Sequence, residues 1–138
     1  MADKTIVTWD EEMSFDVELN GHHFAVDADE AFGGKDRGPK PKGLVLSALA
    51  GCTGMDVVSI LKKMRMPFDS FRLEVEAEIA DEHPKVYTKV HIRYILAGGR
   101  LDESKVERAV DLSCDKYCAV HAMLSKAAEV THEIVLNP

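Results

Sequence analysis

The feature that most constrains this chain of 138 residues is a long apolar segment at residues 42–64. Its sequence, KGLVLSALAGCTGMDVVSILKKM, is apolar on nearly every side at its start and becomes amphipathic only towards Lys62 and Lys63. A helix with no polar face must be covered on all sides, by the chain's own sheet and by a second body. The segment therefore predicts a buried central helix and indicates a partner subunit.

Two other patterns predict β-structure on either side of this helix. Residues 71–79 alternate between apolar and charged side chains, and residues 86–96 alternate again after a turn, which indicates a long antiparallel hairpin. Upstream, Asn20-Gly21 favours a two-residue hairpin turn. We expect one α+β domain over residues 1–138, comprising an N-terminal β-meander (5–30), a loop (31–41), the central helix (42–64), the hairpin (71–97), C-terminal helices (102–129) and a last strand (131–136).

Composition limits the classes of partner. The net charge is −7 and the isoelectric point is near 5.3. Binding to nucleic acid or to an anionic membrane needs clustered lysine and arginine, so we expect neither as a partner. The N-terminus lacks the apolar core of a signal peptide, and we expect no segment to reach the length of a membrane span. These features predict a cytoplasmic protein. In a reducing compartment an odd count of three cysteines is more typical of thiols, redox centres or metal ligands than of a disulfide framework.

Cys52 lies between Gly51 and Gly54 in the most apolar part of the chain. One interpretation is that the glycines leave room for a substrate or a second sulfur, and that they break the helix so that free N–H groups point at the thiolate. The alternative is that they allow two helices to pack closely, with Cys52 as a small buried apolar residue.

A second group of sulfur and nitrogen atoms lies near the C-terminus. Cys114, Cys118 and His121 would lie on one helical face if their helix were continuous, and such a face could supply part of a zinc site. Metal ligands usually come from two elements, however, and the remaining histidines are interpreted as surface or core residues. We therefore expect neither a metal nor another cofactor.

The order of elements, the stretch GPKPKGLVLSALAGC ending at Cys52, and a second cysteine at Cys118 followed by a helix together resemble the OsmC/Ohr family. This family comprises the osmotically inducible and organic hydroperoxide resistance proteins, and the resemblance covers essentially the whole chain. It implies an intertwined homodimer in which antiparallel sheets wrap around long buried central helices. Such a dimer would explain a helix without a polar side.

The resemblance also implies a chemistry. In peroxidase members of the family the first cysteine attacks an organic hydroperoxide, becomes a sulfenic acid, and condenses with the second cysteine to a disulfide that a dithiol reduces. Carried over, Cys52 would attack and Cys118 would resolve, in an antioxidant stress response. The family's peroxidases have a glutamate ten positions before the first cysteine, paired with an arginine. Here that position is Lys42, and the first arginine of the chain is Arg37.

These departures define the expectations for the site. Lys42 is expected to stabilise the Cys52 thiolate in place of the family's arginine, and Arg37 is the other candidate cation. Asp56, one turn after Cys52, opposes thiolate formation if it faces the same way. The rival interpretation is a non-catalytic homodimeric binding module that carries a small apolar ligand at its interface, with Cys52 serving only in packing.

Overall fold

The computed structural model describes all residues from 1 to 138. Its internal contacts divide the chain into two compact units, Met1–Val45 and Leu46–Pro138, here called the N-terminal unit and the C-terminal unit. The whole chain is α+β, with two three-stranded sheets and one long helix, as the sequence predicted.

The N-terminal unit contains an antiparallel meander in the order β1-β2-β3. Asn20 and Gly21 connect the second and third strands with φ angles of 52° and 80°, so the predicted two-residue hairpin is confirmed. Both positive angles explain why an Asn-Gly pair stands here. The strands are β1 (Thr5–Glu11), β2 (Ser14–Leu19) and β3 (His22–Val26).

A buried carboxylate organises the loop that follows β3. Asp27 accepts hydrogen bonds from the backbone N–H groups of Ala28, Lys35 and Arg37, at 2.8, 3.0 and 3.2 Å. These N–H groups hold the pKa of Asp27 below its ordinary value, the bond from Lys35 contributing most. The glycine-rich loop is therefore anchored at its centre by one side chain.

Helix α1 (Leu44–Lys63) runs without interruption through Gly51 and Gly54. The prediction that the glycines break the helix and expose N–H groups near Cys52 is therefore wrong. Most of α1 lies in the C-terminal unit, which also contains β4 (Ser70–Ile79), β5 (Tyr87–Ala97), α2 (Glu103–Leu112), α3 (Ala119–Ser125) and β6 (Glu129–Leu136).

The second sheet has the order β4-β5-β6. β4 and β5 form the predicted antiparallel hairpin, but β6 pairs with β5 in parallel, from Lys89↔Glu129 to Leu96↔Leu136. The antiparallel sheets that the resemblance implies are thus present in β1-β2-β3 and in β4-β5, and β6 departs from them. The reason is topological, because α2 and α3 form a crossover that returns the chain in the direction of β5.

The core of the C-terminal unit lies between one face of α1, the sheet and α2. On α1, Leu49, Val57 and Leu61 are fully buried, and Val90, Ile92, Tyr94 and Leu96 are their counterparts on β5. The opposite face of α1 stays exposed, and Met55 retains 75% of its surface. Within a single chain the helix is thus buried on one side only, the side covered by the chain's own sheet and α2, and the side for which the sequence predicts a second body stays uncovered.

The segment from Pro41 to Lys63 is long and apolar enough to cross a membrane by length and composition alone. The expectation that no segment reaches such a length is therefore wrong. Core helices of soluble proteins pass the same test, and the buried residues of α1 belong to the hydrophobic core. The segment is accounted for as the core helix of this fold.

The chain between α2 and α3 is a five-residue π-helical turn, Ser113–Tyr117. Cys118 follows it in an extended conformation, with φ −78° and ψ 103°, and caps the N-terminus of α3. The helix is consequently not continuous, and Cys114, Cys118 and His121 do not share one helical face. π turns are rare in proteins, and those that occur are often found at functional sites.

Candidate redox site

Two cysteines and a carboxylate meet in the C-terminal unit. The ligand atoms of Cys52, Asp56 and Cys118 all lie within 4.8 Å of one another. Cys52 and Asp56 are one turn apart on the same face of α1, whereas Cys118 comes from the junction between the π turn and α3. The structure thus brings together the two cysteines that the sequence singled out, and Asp56 faces them.

The two thiols have different surroundings. Cys52 is half-buried, whereas Cys118 is only 2% exposed and its sulfur accepts the backbone N–H of His121 at 3.4 Å. Burial, and then the adjacent Cys52 thiol and Asp56 carboxylate, raise the pKa of Cys118 to about 11, although the His121 N–H acts in the opposite direction. Cys118 is therefore a protonated thiol near neutral pH, and Cys52 is the more accessible of the pair.

Behind the cysteine pair lies a chain of buried hydrogen bonds. The Thr53 hydroxyl is 2.7 Å from the Tyr94 hydroxyl and 2.7 Å from that of Ser113. Ser113 donates to Oδ2 of Asp56 at 2.9 Å, and Cys114 Sγ lies 3.5 Å from the Tyr94 oxygen. Five side chains from α1, β5 and the π turn are thereby linked into one network.

The direction of this network follows from the number of protons. Ser113 has one hydroxyl proton and gives it to Asp56, so Thr53 must donate to Ser113 and Tyr94 must donate to Thr53. Burial raises the pKa of Cys114 and keeps its proton on sulfur, so that thiol donates to Tyr94. Every donor is thus directed towards the Asp56 carboxylate, and hydrogen bonds aligned in this way strengthen one another.

An apolar groove of about 540 Å³ opens on the exposed side of α1. Its lining includes Gly51, Gly54 and Met55 on the helix, and Phe71 and Leu73 on β4. A Cβ at Gly51 would meet nothing within 4 Å, whereas one at Gly54 would lie 3.0 Å from Leu73 Cδ1. Gly54 thus allows close packing of the helix on the strand, and Gly51, the neighbour of Cys52 in the chain, lines the groove without a side chain.

The candidate cations lie in the N-terminal unit. Arg37 forms ion pairs with Glu12 at 3.3 Å and Glu11 at 3.5 Å, an arginine–glutamate arrangement that no spacing in the sequence predicts. Lys42 is exposed and stands in the short 3₁₀ helix Pro41–Gly43 just before α1. The cysteine cluster itself belongs to the C-terminal unit. Stabilisation of the thiolate by either cation stays a prediction.

Cys114, Cys118 and His121, which the sequence places close together near the C-terminus, do not form one cluster in the structure. Cys114 and His121 are not members of the cluster around Cys118, and burial, followed by the proximity of His132, lowers the pKa of His121. His121 is therefore neutral near physiological pH. It contributes its backbone N–H to Cys118 rather than a ring nitrogen to a metal site.

Sequence reasoning missed Thr53, Tyr94 and Ser113 as members of the site. The only local signal is on α1, where Thr53 directly follows Cys52 and lies three residues before Asp56. Its partners Tyr94 and Ser113 are 41 and 60 residues away along the chain. No periodicity within one element connects residues at such separations.

Comparison with known proteins places these features in a family. The profile of the OsmC-like protein family matches residues 33–133. Protein YhfA of Escherichia coli K12 is 38% identical over 127 residues, which are 91% of this chain and 92% of YhfA. A hypothetical protein from Aquifex aeolicus has a solved structure with a TM-score of 0.85 at 25% identity, covering 100% of this chain and 99% of the other.

A structure described as an organic hydroperoxide resistance protein OsmC and predicted redox protein, from Legionella pneumophila, shares the fold. Its TM-score is 0.70 at 15% identity, with 96% of each chain covered. The architecture is therefore that of the OsmC fold class. The chain belongs to the OsmC-like family, as the resemblance in its sequence indicated.

Proposed function

We propose that the protein is a cysteine-based redox protein that reduces organic hydroperoxides, with Cys52 as the attacking and Cys118 as the resolving residue. The observation that carries the proposal is the approach of Cys52 Sγ and Cys118 Sγ to within 4.8 Å from two elements far apart in sequence. A disulfide needs a sulfur–sulfur bond of about 2.05 Å, and side-chain rotation supplies the remaining approach. Membership of the OsmC-like family supports the same chemistry.

The reaction proceeds in two steps. The Cys52 thiolate attacks the distal oxygen of the hydroperoxide, the O–O bond breaks, and the alkoxide takes up a proton and leaves as an alcohol. Cys118 sulfur then attacks the Cys52 sulfenic acid. The hydroxyl leaves as water with the proton of the Cys118 thiol, and a Cys52–Cys118 disulfide forms. An external dithiol reduces the disulfide by exchange and restores both thiols.

Accessibility and position support the roles proposed for the two cysteines. Cys52 is half-buried and follows Gly51, which lines the apolar groove, whereas Cys118 is buried behind it. The groove favours an organic substrate over hydrogen peroxide because its lining is largely apolar. Asp56 stands beside both sulfurs, where its carboxylate can accept the Cys118 proton during disulfide formation.

The proposal includes a homodimer in the cytoplasm. The exposed face of α1 carries Met55 and the apolar groove, and a second copy of the chain would cover surface that water now contacts. Three free cysteines suit a reducing compartment, in which a dithiol reductant is also at hand.

The test is a stoichiometric dose of cumene hydroperoxide followed by intact-mass measurement and peptide mapping. The unaltered protein is expected to lose two thiols and yield a Cys52–Cys118 disulfide. In Cys118→Ser the reaction is expected to stop at the Cys52 sulfenic acid, which a dimedone probe captures. Cys114→Ser is the matched control because Cys114 lies outside the cluster, and it is expected to give the same disulfide. Undiminished hydroperoxide reduction by Cys52→Ser would refute the proposal.

The role of Lys42 has its own test. If Lys42 stabilises the Cys52 thiolate, Lys42→Ala slows alkylation of Cys52 by iodoacetamide near neutral pH, because the thiolate is the nucleophile. Lys35→Ala removes another exposed lysine of the same unit and serves as the control. Arg37→Gln is compared in parallel, as Arg37 is the other candidate cation. Equal rates of Cys52 alkylation in all variants would show that neither Lys42 nor Arg37 stabilises the thiolate.

A second candidate is a non-catalytic homodimeric module that binds a small apolar ligand, and the groove on α1 favours it. This function predicts thiols that stay reduced after the hydroperoxide dose, and saturable binding of an apolar fluorescent probe that Met55→Lys abolishes. The mass measurement therefore separates the two functions.

A further inference from the structure

The cluster of Cys52, Asp56 and Cys118 also has the composition of a metal site. A tetrahedral Zn²⁺ site has metal–sulfur distances of about 2.3 Å and metal–oxygen distances of about 2.0–2.2 Å. Such distances separate ligand atoms by roughly 3.5–3.8 Å. The three ligand atoms here already lie within 4.8 Å of one another, so small side-chain rotations bring them to this geometry.

The ligands come from two packed elements, which is the usual arrangement for a metal site. Cys52 and Asp56 are at positions i and i+4 of α1 and project from the same face of the helix. Cys118 is fixed at the N-terminus of α3, where the His121 N–H bonds to its sulfur at 3.4 Å. Cys118 is nearly inaccessible and the other two are half-buried, so the cluster is partly shielded from water.

Asp56 is oriented by a second layer of hydrogen bonds. Ser113 donates to its Oδ2 at 2.9 Å, and Thr53 and Tyr94 align behind Ser113. A carboxylate offers about four lone-pair positions, so this bond leaves capacity for a metal ion. Ligating carboxylates in metal sites are typically held by such outer partners.

We propose that the reduced protein binds one Zn²⁺ ion per chain through Cys52 Sγ, Cys118 Sγ and a carboxylate oxygen of Asp56, with water in the fourth position. The metal ion binds both sulfurs as thiolates, so any proton still on a ligand thiol is released to solvent. The metal site does not depend on peroxidase activity. A consequence for the proposed function is that the ion and the disulfide exclude each other, since both use the same two sulfurs.

The first experiment adds Co²⁺, as a spectroscopic probe, to the full-length reduced protein. The expected result is a thiolate-to-cobalt charge-transfer band together with the visible bands of tetrahedral cobalt, saturating at one ion per chain. Zn²⁺ is then expected to displace Co²⁺, because nitrogen and sulfur sites bind Zn²⁺ more tightly. A titration without a charge-transfer band would overturn the proposal.

Variants identify the ligands. Cys52→Ser and Cys118→Ser each weaken the charge-transfer band, and Asp56→Asn lowers the affinity. Cys114→Ser and Asp115→Asn are matched controls outside the cluster and are expected to bind Co²⁺ as the unaltered chain does. Ser113→Ala, which removes the outer partner of Asp56, is expected to lower the affinity about 10- to 100-fold. A band that persists unchanged in both Cys52→Ser and Cys118→Ser would place the metal elsewhere.

A measurement on the unaltered protein covers the case in which a variant fails to fold. Zn²⁺ is expected to slow iodoacetamide labelling of Cys52 and Cys118 and to leave the labelling of Cys114 unchanged. Equal labelling of Cys52 with and without Zn²⁺ would contradict the site. The two proposals can fail separately. Metal binding without oxidation of the cysteines by hydroperoxide would refute only the peroxidase function. Oxidation of the cysteines without metal binding would refute only the zinc site.

Discussion

At the residue scale, Thr53 connects the two halves of the buried network. Its hydroxyl accepts from Tyr94 and donates to Ser113, and the side chain is completely buried. Thr53→Val keeps the shape but leaves the Tyr94 O–H without an acceptor, which is expected to lower the free energy of unfolding by about 1–3 kcal/mol. Urea unfolding at neutral pH measures the change.

Thr88→Val is the matched control for this substitution. The Thr88 hydroxyl donates to the Glu78 carbonyl at 3.3 Å but is exposed, so its loss is expected to change stability by less than about 0.5 kcal/mol. If both variants unfold at the same urea concentration, the buried network contributes no more than a surface hydrogen bond.

Asp27 carries a prediction about pH. Its pKa is lower in the folded protein than the ordinary 3.8, so the stability it provides is present above 3.8 and is lost as pH falls through the lower folded value. Asp27→Asn is expected to lower the melting temperature near neutral pH, because an NH₂ group replaces an oxygen that accepts N–H bonds. The difference from the unaltered chain should narrow below pH 3.8. A difference that stays constant across this range would contradict the role of the charge.

The residues of the site differ in how far the sequence predicts them. Cys52 and Cys118 follow from the resemblance, in which Cys52 ends the quoted stretch and Cys118 is the second cysteine, and Asp56 follows from helical spacing on α1. Tyr94 lies in the segment 86–96, whose alternation predicts a strand, but its hydroxyl partner Thr53 is 41 residues away. Because hydrogen bonds between distant elements depend on how those elements pack, the sequence pattern of each element alone does not contain them.

At the element scale, the π turn places Cys118. A π turn holds one more residue than an α turn, so it interrupts the 3.6-residue periodicity from which sequence analysis predicts a helix. The sequence therefore does not determine whether the helix continues or breaks at Cys118, and in the structure it breaks there. Similarly, alternation predicts β6 as a strand but not its parallel direction, which the crossover through α2 and α3 determines.

Deletion of Lys116 tests the contribution of the π turn. Lys116 is exposed within this turn, and removing it allows α2 to continue as a regular helix and rotates Cys118 away from Cys52. The shortened protein is expected to keep its circular dichroism spectrum but to lose the Cys52–Cys118 disulfide after hydroperoxide treatment. Lys116→Ala keeps the residue count and is expected to behave as the unaltered chain. Normal disulfide formation by the folded deletion variant would show that the turn does not position Cys118.

At the scale of the whole molecule, the single chain leaves uncovered the side of α1 for which the sequence predicts a second body. The sequence predicts a helix covered on all sides, whereas a single chain buries only 28% of the most apolar part of this helix. The exposed side is apolar and forms a groove with β4. A second copy of the chain is the simplest cover for this surface, because both copies then bury their apolar sides together.

Met55→Lys tests this assembly. Met55 lies in the groove and is 75% exposed in the single chain, so a lysine there is compatible with the folded chain but places a charge in the proposed interface. Burial of an unpaired ammonium is costly, and we expect dimer affinity to fall at least about tenfold. Sedimentation velocity across a concentration series measures the change. Met123→Lys alters a methionine on α3 that is 62% exposed, outside the groove, and should leave the dimer intact. If Met55→Lys sediments as the unaltered protein does at every concentration, this face of α1 is not the contact between subunits.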